Sequence, residues 1–480
     1  MNRARQLKEI IRRQTEQIQS QTEQIQRQAE QISFLLAENA QLRVRIKELE
    51  DAMKATSKTS SKPPSSDGFK KQPALPRVNS GKQGGQKGHV GRNLEPVKEP
   101  DHIKEHHPLV CTCGHNLSNT LHSLSETRQV FGLPPTKLEV TEHRKFSCKC
   151  PNCGSVQSGN FPSNVRARTQ YGESVIALCT LLNNGHKLSV ESIQDLFNDL
   201  YGYSINPSTI LSANERMYES LAESEEKIKQ YIIDSDVVHF DETGCHIDGS
   251  TQWIHTASTD TYTYLFPHKK RGRLVWSSPD SILSKFQGWF VHDCYSSYFS
   301  FKKDKDALCG AHLLRELSGL HECGSEWAFS MHTFLMLCYH HSDDGRKTVN
   351  NPERTRYIYD ILCRRANEIE PYNTTRPPGC KGKLKQTKGR NLLNRLIKYK
   401  ESVLAFAFHE SVPFTNNQAE RDLRPVKLKQ KISGCFRQFA GAEHYARIQS
   451  FISTARKNDQ NVFKQLCLAL DNTTFLTCSI

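Results

Sequence analysis

A chain of 480 residues is long for a single domain, and 65 Lys and Arg against 51 Asp and Glu give it a formal net charge of +14. Such a surface attracts polyanions, so a nucleic acid is the expected partner. The sequence has no apolar run of about 18 residues and no apolar N-terminal signal, which argues against a membrane span and against secretion. Its 16 cysteines therefore point to free thiols and metal ligands rather than disulfides.

Residues 1–55 carry a heptad repeat of apolar residues, which predicts a coiled coil for dimerisation. Isoleucine recurs at one seam position and leucine at the other, namely Ile11, Ile18, Ile25, Ile32 and Ile46 against Leu7, Leu35, Leu42 and Leu49. This combination favours a parallel two-stranded coil, and the buried amide of Asn39 would fix its register. The alternative is a single amphipathic helix that lies on a globular body.

A basic linker and a cysteine-rich module follow. Residues 56–107 are dominated by Ser, Pro, Gly and Lys, so we expect a flexible tether whose lysines lie along phosphates. Within residues 108–158, two knuckle-type cysteine pairs predict a structural zinc ribbon. The expected ligands are Cys111, Cys113, Cys150 and Cys153. Cys148 competes with Cys150 as a ligand, and reduced cysteines without a metal are the alternative.

Residues 159–230 place apolar residues at helical spacing, which predicts a helical domain. Gly202, followed by Asn206-Pro207-Ser208, marks a turn and the start of a helix. A short helix, a turn and a longer helix suggest a helix-turn-helix DNA-binding domain that reads bases from Ser208 to Arg216. That stretch holds one arginine and no lysine, so a plain helical bundle is the alternative.

From residue 231 the pattern changes to short apolar strands, two of which lead into an aspartate. Asp241 ends the run VVHF and Asp293 follows GWFVH, an arrangement that is typical of an RNase H-like sheet. Glu420 opens a later segment that is dense in arginine and lysine. Because a carboxylate at a strand end needs a cation, the three acids predict a pair of divalent metal ions for phosphoryl transfer on nucleic acid.

Several motifs, in fixed order from about residue 55 to 465, resemble those of transposases of the insertion-sequence 66 family. They are SSKPPSSDG and GGQKGH in the linker, then FDETG, WIHTAST, HKKRG, VHDCYSSYF, LCGAHLLREL, NNQAERDLRP and KQKISGCFRQFAGAEHYARIQSFISTARKN. The resemblance implies a multidomain α/β protein with an RNase H-like mixed-sheet core. That core would comprise residues 231–316 and 411–480, separated by a helical insertion at 317–410.

By match to these motifs, the resemblance implies a DDE transposase with the triad Asp241, Asp293 and Glu420 and two magnesium or manganese ions per active site. Such an enzyme of a bacterial insertion sequence binds double-stranded DNA at the terminal inverted repeats, cleaves a strand and transfers it to target DNA. A homodimer or higher oligomer, companion proteins of the same element, and a cytoplasmic location on the nucleoid are also implied. The alternative is a non-catalytic dimeric zinc-containing DNA-binding regulator or an inactive transposase remnant.

Local sequence leaves other interpretations open for two acids. Glu420 has the spacing of a reciprocal cap for Asn417 and of an ion pair with Arg424, so its catalytic role comes from the resemblance. Glu242 stands next to Asp241 and is the competing acid on that strand.

Further residues accompany the triad. Cys309 and His312 resemble a Cys/His signature found in many such transposases, and we expect a buried thiol and a histidine that orient the acidic site. Zinc binding, which would need two more ligands such as Cys323 or His321, is the alternative. His239 and His292 flank the aspartates and are expected to pack or to form hydrogen bonds rather than act as bases. The basic residues beyond Glu420 predict a surface that holds DNA by its phosphates. They are Arg421, Arg424, Lys427, Lys431 and Arg437.

Overall fold

The computed structural model describes residues 94–278, 281–300, 305–342, 347–374 and 384–477, with residues 13, 17–19, 21–36, 38–39, 42–43 and 46 near the N-terminus. Residues 21–36 form helix α1 within the predicted coiled coil. Much of the predicted linker lies outside the described residues. The chain divides into two compact units, one of Met1–Gly68, Ser163–Asp195 and Ile205–Ile480, the other of Phe69–Pro162 and Leu196–Ser204.

The unit that contains Phe69–Pro162 has a small hairpin. Its strands β1 (Ser147–Lys149) and β2 (Val156–Ser158) pair in antiparallel register and flank the second cysteine knuckle. Cys148, the competing zinc ligand, lies exposed in β1. Within residues 94–162 no described side chain is buried. A module without an apolar core needs another source of stability, and a structural metal commonly provides it.

A group of helices precedes the main sheet in the chain. These are α2 (Glu173–Thr180), α3 (Val190–Tyr201), α4 (Pro207–Ser220) and α5 (Ala222–Ile233), with a π-helical turn at Leu181–Gly185. The predicted helix start is confirmed, because Pro207 takes the first position of α4 and Oδ1 of Asn206 accepts the N–H of Ser208 at 2.9 Å. Helices α2 and α4 bury apolar side chains, including Ala177 and Ile210.

The main sheet is mixed and has β3 at its centre, in the order β5-β4-β3-β6-β7. The strands are β3 (Val237–Ile247), β4 (Ser250–Ser258), β5 (Thr263–His268), β6 (Trp289–His292) and β7 (Asp306–Leu308), with the short helix α6 (Arg273–Trp276) after β5. Strands β3, β4 and β5 are antiparallel neighbours, whereas β6 runs parallel to β3 and β7. Asp248 and Gly249 both have positive φ, which suits the tight turn between β3 and β4.

A helical region follows β7 and occupies the predicted insertion. Its helices are α7 (Gly310–Glu322), α8 (Glu326–Ser342), α9 (Pro352–Ile369), α10 (Lys388–Lys398) and α11 (Lys400–Phe408). They share a core with β6 and β7 that includes Val291, Leu308 and Phe406. Helix α7 begins at a glycine because a Cβ on Gly310 would lie 2.1 Å from the ring of Phe414.

The C-terminal helices pack back onto the main sheet. They are α12 (Asn417–Ser433), α13 (Phe439–Lys457) and α14 (Val462–Leu470). Helix α12 runs through Pro425, and its buried residues Leu423 and Val426 share a core with Ile254 of β4. The burial of these side chains offsets the loss of the backbone hydrogen bond that Pro425 cannot donate. In the described part of the chain, no helix is long and apolar enough to cross a membrane.

A buried ion pair joins α12 to α13 and to the β4–β5 hairpin. Nζ of Lys457 lies 2.7 Å from Oδ2 of Asp422, and both side chains are largely buried. The same carboxylate accepts hydrogen bonds from the hydroxyls of Ser258 and Thr263. Burial lowers the pKa of Lys457, while the charge of Asp422 opposes that shift. The pair therefore holds α12 in one position against the sheet.

Asp422→Ala is expected to lower the free energy of unfolding by roughly 3–5 kcal/mol, because it leaves the Lys457 ammonium buried without its counter-charge. Asp360→Ala is the control, since that half-exposed carboxylate pairs with Lys400 at 3.1 Å and its loss should cost about 1 kcal/mol or less. Urea denaturation followed by tryptophan fluorescence measures both, because all 4 tryptophans lie in the larger unit. Equal effects of the two substitutions would contradict the prediction.

Candidate active site and metal-binding residues

Asp241 lies on β3, and Asp293 directly follows the parallel neighbouring strand β6. Strand β3 pairs with β6 so that His239 faces Val291, and each aspartate stands two residues beyond this pair. Burial raises the pKa of Asp241 well above its usual value, and the charges of Asp293 and Glu242 raise it further. Neighbouring carboxylates in a desolvated position favour either a bound proton or a bound cation.

Glu420 lies in the first turn of α12 and shares a neighbour, His312, with the two aspartates. Its Oε1 lies 3.8 Å from Nε2 of His312, which stands in the first turn of α7. Burial alone would lower the pKa of His312, but the thiol of Cys309 and two carboxylates raise it to about 9. The two carboxylates are those of Glu420 and Asp293. The charge of His312 also acts on Asp241, where it partly opposes the effect of burial.

The three acids do not form one ligand cluster in this structure. Among the described residues, the group whose ligand atoms all lie within 4.8 Å of one another consists of Cys309, His312 and Glu420. The carboxylate of Glu420, one of the three that the sequence assigns to magnesium, therefore lies near the thiol of Cys309 and the imidazole of His312.

Glu242, the competing acid, has partners of its own. Its Oε1 accepts the Nε–H of Arg271 at 2.7 Å, and its Oε2 accepts the hydroxyl hydrogen of Tyr298. Its side chain is almost fully buried. Since adjacent strand residues point to opposite faces of a sheet, Glu242 and Asp241 serve different faces of β3. The structure thus gives Glu242 a role in holding the arginine.

Arg271 stands beside the acids, which local sequence did not predict. Its guanidinium lies 4.6 Å from the ring centre of Trp253 and 3.8 Å from that of Tyr295. The backbone N–H of Tyr295 donates to Oδ1 of Asp293 at 2.9 Å, so the arginine reaches the loop of the second aspartate. The signal in the sequence is the basic run between β5 and α6, whose exposed members also include Lys269, Lys270 and Arg273.

Asn416 precedes α12, is buried, and connects three elements. Its Nδ2 donates to the carbonyl oxygen of Phe240 in β3 at 2.8 Å, and its Oδ1 lies 3.0 Å from Nδ1 of His239. Its backbone N–H donates to Sγ of Cys309, just before α7, at 3.1 Å. These contacts position the first turn of α12 and with it Glu420.

The two histidines that flank the aspartates are buried and hydrogen-bonded, as predicted. His239 contacts Asn416, and burial lowers the pKa of its imidazole. Nδ1 of His292 contacts the carbonyl oxygen of Asp293, and its ring stacks on Phe290 with centroids 5.0 Å apart. Their contacts are those of packing residues.

The predicted basic surface is exposed and lies on the helix that carries Glu420. Arg421, Arg424, Lys427 and Lys431 recur at intervals of three or four residues along α12, and Arg437 follows the helix. This spacing places the four helical residues on one side of α12. Nζ of Lys427 also donates to the carbonyl oxygen of Gly244 in β3. The arrangement offers a row of cations beside the acids.

Each predicted zinc knuckle brings its own cysteines together. In the first, hydrogen bonds from Cys113 lower the pKa of Cys111. In the second, Ser155 and, to a smaller extent, Cys150 lower the pKa of Cys153 to about 7. Thiols that ionise easily are the ligands zinc selects, so each half fits the metal. Three or more of these sulfur atoms do not gather within 4.8 Å in the described residues.

Comparison with known proteins bears on most of the main sheet and its helices and on the cysteine-rich module. Residues 168–444, more than half of the chain, match the family model described as Transposase IS66 family. The chain belongs to the IS66 transposase family. Residues 108–154 of this IS66 transposase match a model described as the zinc-finger binding domain of transposase IS66, which supports a structural zinc there. Residues 6–95 match a family of unknown function, and none of the curated proteins matches the chain.

The matched regions agree with the architecture. A mixed sheet with helices, together with a zinc-finger domain, is what a multidomain α/β transposase requires, so that part of the predicted fold class is confirmed. Asp241, Asp293 and Glu420 all fall within the transposase match, and the five cysteines of the knuckles fall within the zinc-finger match.

Arg271→Lys in this IS66 transposase is expected to lower DNA cleavage roughly tenfold or more, because an ammonium cannot replace a planar group stacked between two rings. The loop that carries Asp293 then loses its support. Arg356→Lys is a matched control, because Arg356 also stacks on a ring, that of Phe408 at 4.1 Å, and pairs with a carboxylate, that of Glu401 at 3.0 Å. It differs from Arg271 in its place, since it lies on α9. The two arginines are also similarly exposed, 34% and 38%.

The measurement is the rate of strand cleavage of linear DNA that carries the ends of the element encoding the chain. Wild-type rates for Arg271→Lys, or equal losses for both variants, would contradict a specific role of Arg271.

Proposed function

We propose that this IS66 transposase cuts and joins DNA with a catalytic triad of Asp241, Asp293 and Glu420. The observation that carries the proposal is the register of β3 and β6, because Asp241 in β3 and Asp293 directly after β6 each stand two residues beyond the pair of His239 and Val291. The strand order β5-β4-β3-β6-β7, with β3 central, supports an RNase H-like core. Helix α12 then supplies the third carboxylate from far along the chain.

The triad fits magnesium or manganese. Carboxylate oxygens are the donors that such cations prefer, and a cation would stabilise the half-buried carboxylate of Asp241, whose pKa the charge of Asp293 raises. When bound, two such ions would supply activation of the attacking oxygen and stabilisation of the leaving oxygen. In this arrangement Asp241 and Asp293 would hold the ions from the sheet side, and Glu420 would hold them from α12.

The proposed reaction is a pair of in-line displacements at phosphorus. In the first, water attacks a phosphodiester at an end of the element, the bond from phosphorus to the 3′ oxygen breaks, and the strand is left with a 3′-hydroxyl. In the second, that hydroxyl attacks a phosphodiester of the target DNA, and the target's own 3′ oxygen leaves. Each step exchanges one phosphorus–oxygen bond for another, so neither step consumes an energy source.

Contacts to phosphates would hold the DNA beside the triad. The exposed basic side of α12 and the basic loop around Arg271 support this role, because such contacts position a duplex without reading its sequence. A helix-turn-helix that reads bases stays a prediction. Its recognition helix would be α4, whose exposed residues include Glu215 and Glu219, and acidic side chains do not favour contact with phosphates.

A coiled coil would pair two subunits and hold two element ends together. The described seam residues are exposed in the single chain, by 55% to 65% of their surface for Ile18, Ile25, Ile32, Leu42 and Ile46. Burial against a second helix would stabilise the pair by about 25 cal/mol for each Å² of apolar surface. The zinc finger and the helical domain would then bind the terminal repeats. Such a protein would act in the bacterial cytoplasm, on the nucleoid, with companion proteins of the same element.

Asp241→Asn, Asp293→Asn and Glu420→Gln are each expected to lower cleavage of element-end DNA by about a thousandfold or more, with binding changed only a few-fold. Each substitution removes a negative metal ligand and keeps the shape of the side chain. Asp360→Asn is the control, because that acid lies on α9 and is half exposed. Cleavage and joining are measured on labelled end DNA with Mg²⁺. Wild-type turnover by any one triad variant would remove that residue from the triad.

Ile25→Asp with Ile32→Asp is expected to convert the protein to monomers and to abolish complexes that hold two DNA ends, because a charge in the seam prevents its burial. Gln26→Asp with Ser33→Asp adds the same charge one residue further along, outside the seam, and should leave dimers intact. Sedimentation of the full chain and native gels of end complexes measure both effects. Dimers in the seam variant would refute the coiled-coil interface.

A further inference from the structure

The candidate site contains a second possible cation position besides the one proposed for magnesium. The thiol of Cys309, the imidazole of His312 and the carboxylate of Glu420 each place a ligand atom within 4.8 Å of the others. Cys309 immediately precedes α7, His312 stands in its first turn, and Glu420 stands in the first turn of α12. Two helix starts therefore bring sulfur, nitrogen and oxygen donors to one point.

Two buried polar atoms in this cluster make no hydrogen bond. Oε1 of Glu420 and Nδ1 of His312 are buried and have no hydrogen-bond partner among the residues described. Nε2 of His312 lies 3.8 Å from this carboxylate oxygen, which is beyond hydrogen-bond distance, so an ion bound by both groups would satisfy the oxygen directly. The thiol has support of the kind seen around metal-bound sulfur, because the backbone N–H of Asn416 donates to Sγ of Cys309 at 3.1 Å.

The donor set selects a class of metal. Magnesium requires oxygen ligands in near-octahedral geometry and is not bound by thiolates. Sulfur, imidazole nitrogen and one carboxylate suit zinc and similar borderline cations, which bind three protein side chains and leave a fourth position open. Cys309 and His312 therefore distinguish this position from the all-carboxylate site of the proposed triad.

We propose that Cys309, His312 and Glu420 bind a zinc-type divalent ion, and that this binding inhibits the enzyme because it takes Glu420 away from magnesium. The inhibitory part rests on the proposed function, whereas the metal site itself does not. Binding displaces the proton of the Cys309 thiol and any proton on the His312 nitrogen that becomes a ligand. Because one carboxylate serves both positions, each kind of ion weakens the binding of the other.

The test uses cobalt as the probe, since a thiolate bound to Co²⁺ gives a charge-transfer absorption band. The full-length protein is first freed of metal with a chelator, and Co²⁺ is then added at pH 8, so that the knuckles take up cobalt equally in every variant. We compare the wild type with Cys309→Ser and with His312→Asn, which leaves the thiol in place. Cys179→Ser is the matched control, because Cys179 and Cys309 are both 1% exposed and Cys179 is absent from the cluster.

The expected result is about one cobalt ion more per chain for the wild type and Cys179→Ser than for Cys309→Ser, with a matching difference in the thiolate band. His312→Asn should bind cobalt about tenfold or more weakly than the wild type. If Cys309→Ser fails to fold by circular dichroism, His312→Asn decides by the same measurement. Identical cobalt binding by all folded variants would overturn the site and leave Cys309 and His312 as residues that only orient Glu420.

Inhibition is tested separately, by adding zinc to cleavage reactions that contain Mg²⁺. Each variant is compared with its own rate without zinc. The zinc concentration that halves the cleavage rate should be about tenfold or more higher for Cys309→Ser than for the wild type or Cys179→Ser. Equal sensitivity would overturn the inhibitory role, even where the cobalt site is present. A wild type that binds cobalt at this cluster but cleaves no DNA would instead overturn the proposed function and, with it, the inhibitory role.

Discussion

Neighbouring carboxylates in a desolvated position keep their charge only when cations compensate them, and the structure around β3 and β6 follows from that requirement. Burial raises the pKa of Asp241, so the aspartate needs positive charge nearby. His312 supplies some of it from α7. On the other face of β3, Arg271 neutralises Glu242. The proposed metal position and the stacked Arg271 thus both compensate the negative charge of carboxylates that burial has desolvated.

The position of the third carboxylate, that of Glu420, depends on the contacts that hold α12 in place. Asn416 ties the start of this helix to β3 and to the residue before α7, and the ion pair of Asp422 with Lys457 ties its next turn to α13. These contacts are buried, so a shift of α12 would expose or break several of them together. The same rigidity that brings Glu420 to the sheet also brings it to Cys309 and His312, which is why one carboxylate faces two possible ions.

The IS66 transposase divides its tasks between modules that differ in how they are stabilised. The larger unit has extensive apolar cores around the sheet and the helical insertion. The zinc-finger module has no buried side chain among the described residues 94–162, which fits a fold that relies on its metal. The N-terminal helix exposes its apolar seam, so its stability would come from a partner helix.

Local sequence determined those features whose cause is local. The helix start at Pro207, the zinc-finger region and the family were all predicted, because capping and motif spacing act over a few residues. The tertiary structure decided the rest. Asn416 reaches partners 107 and 177 residues away, and Arg271 meets Glu242 from the segment between β5 and α6. Such contacts depend on how the elements pack, and no local pattern encodes them.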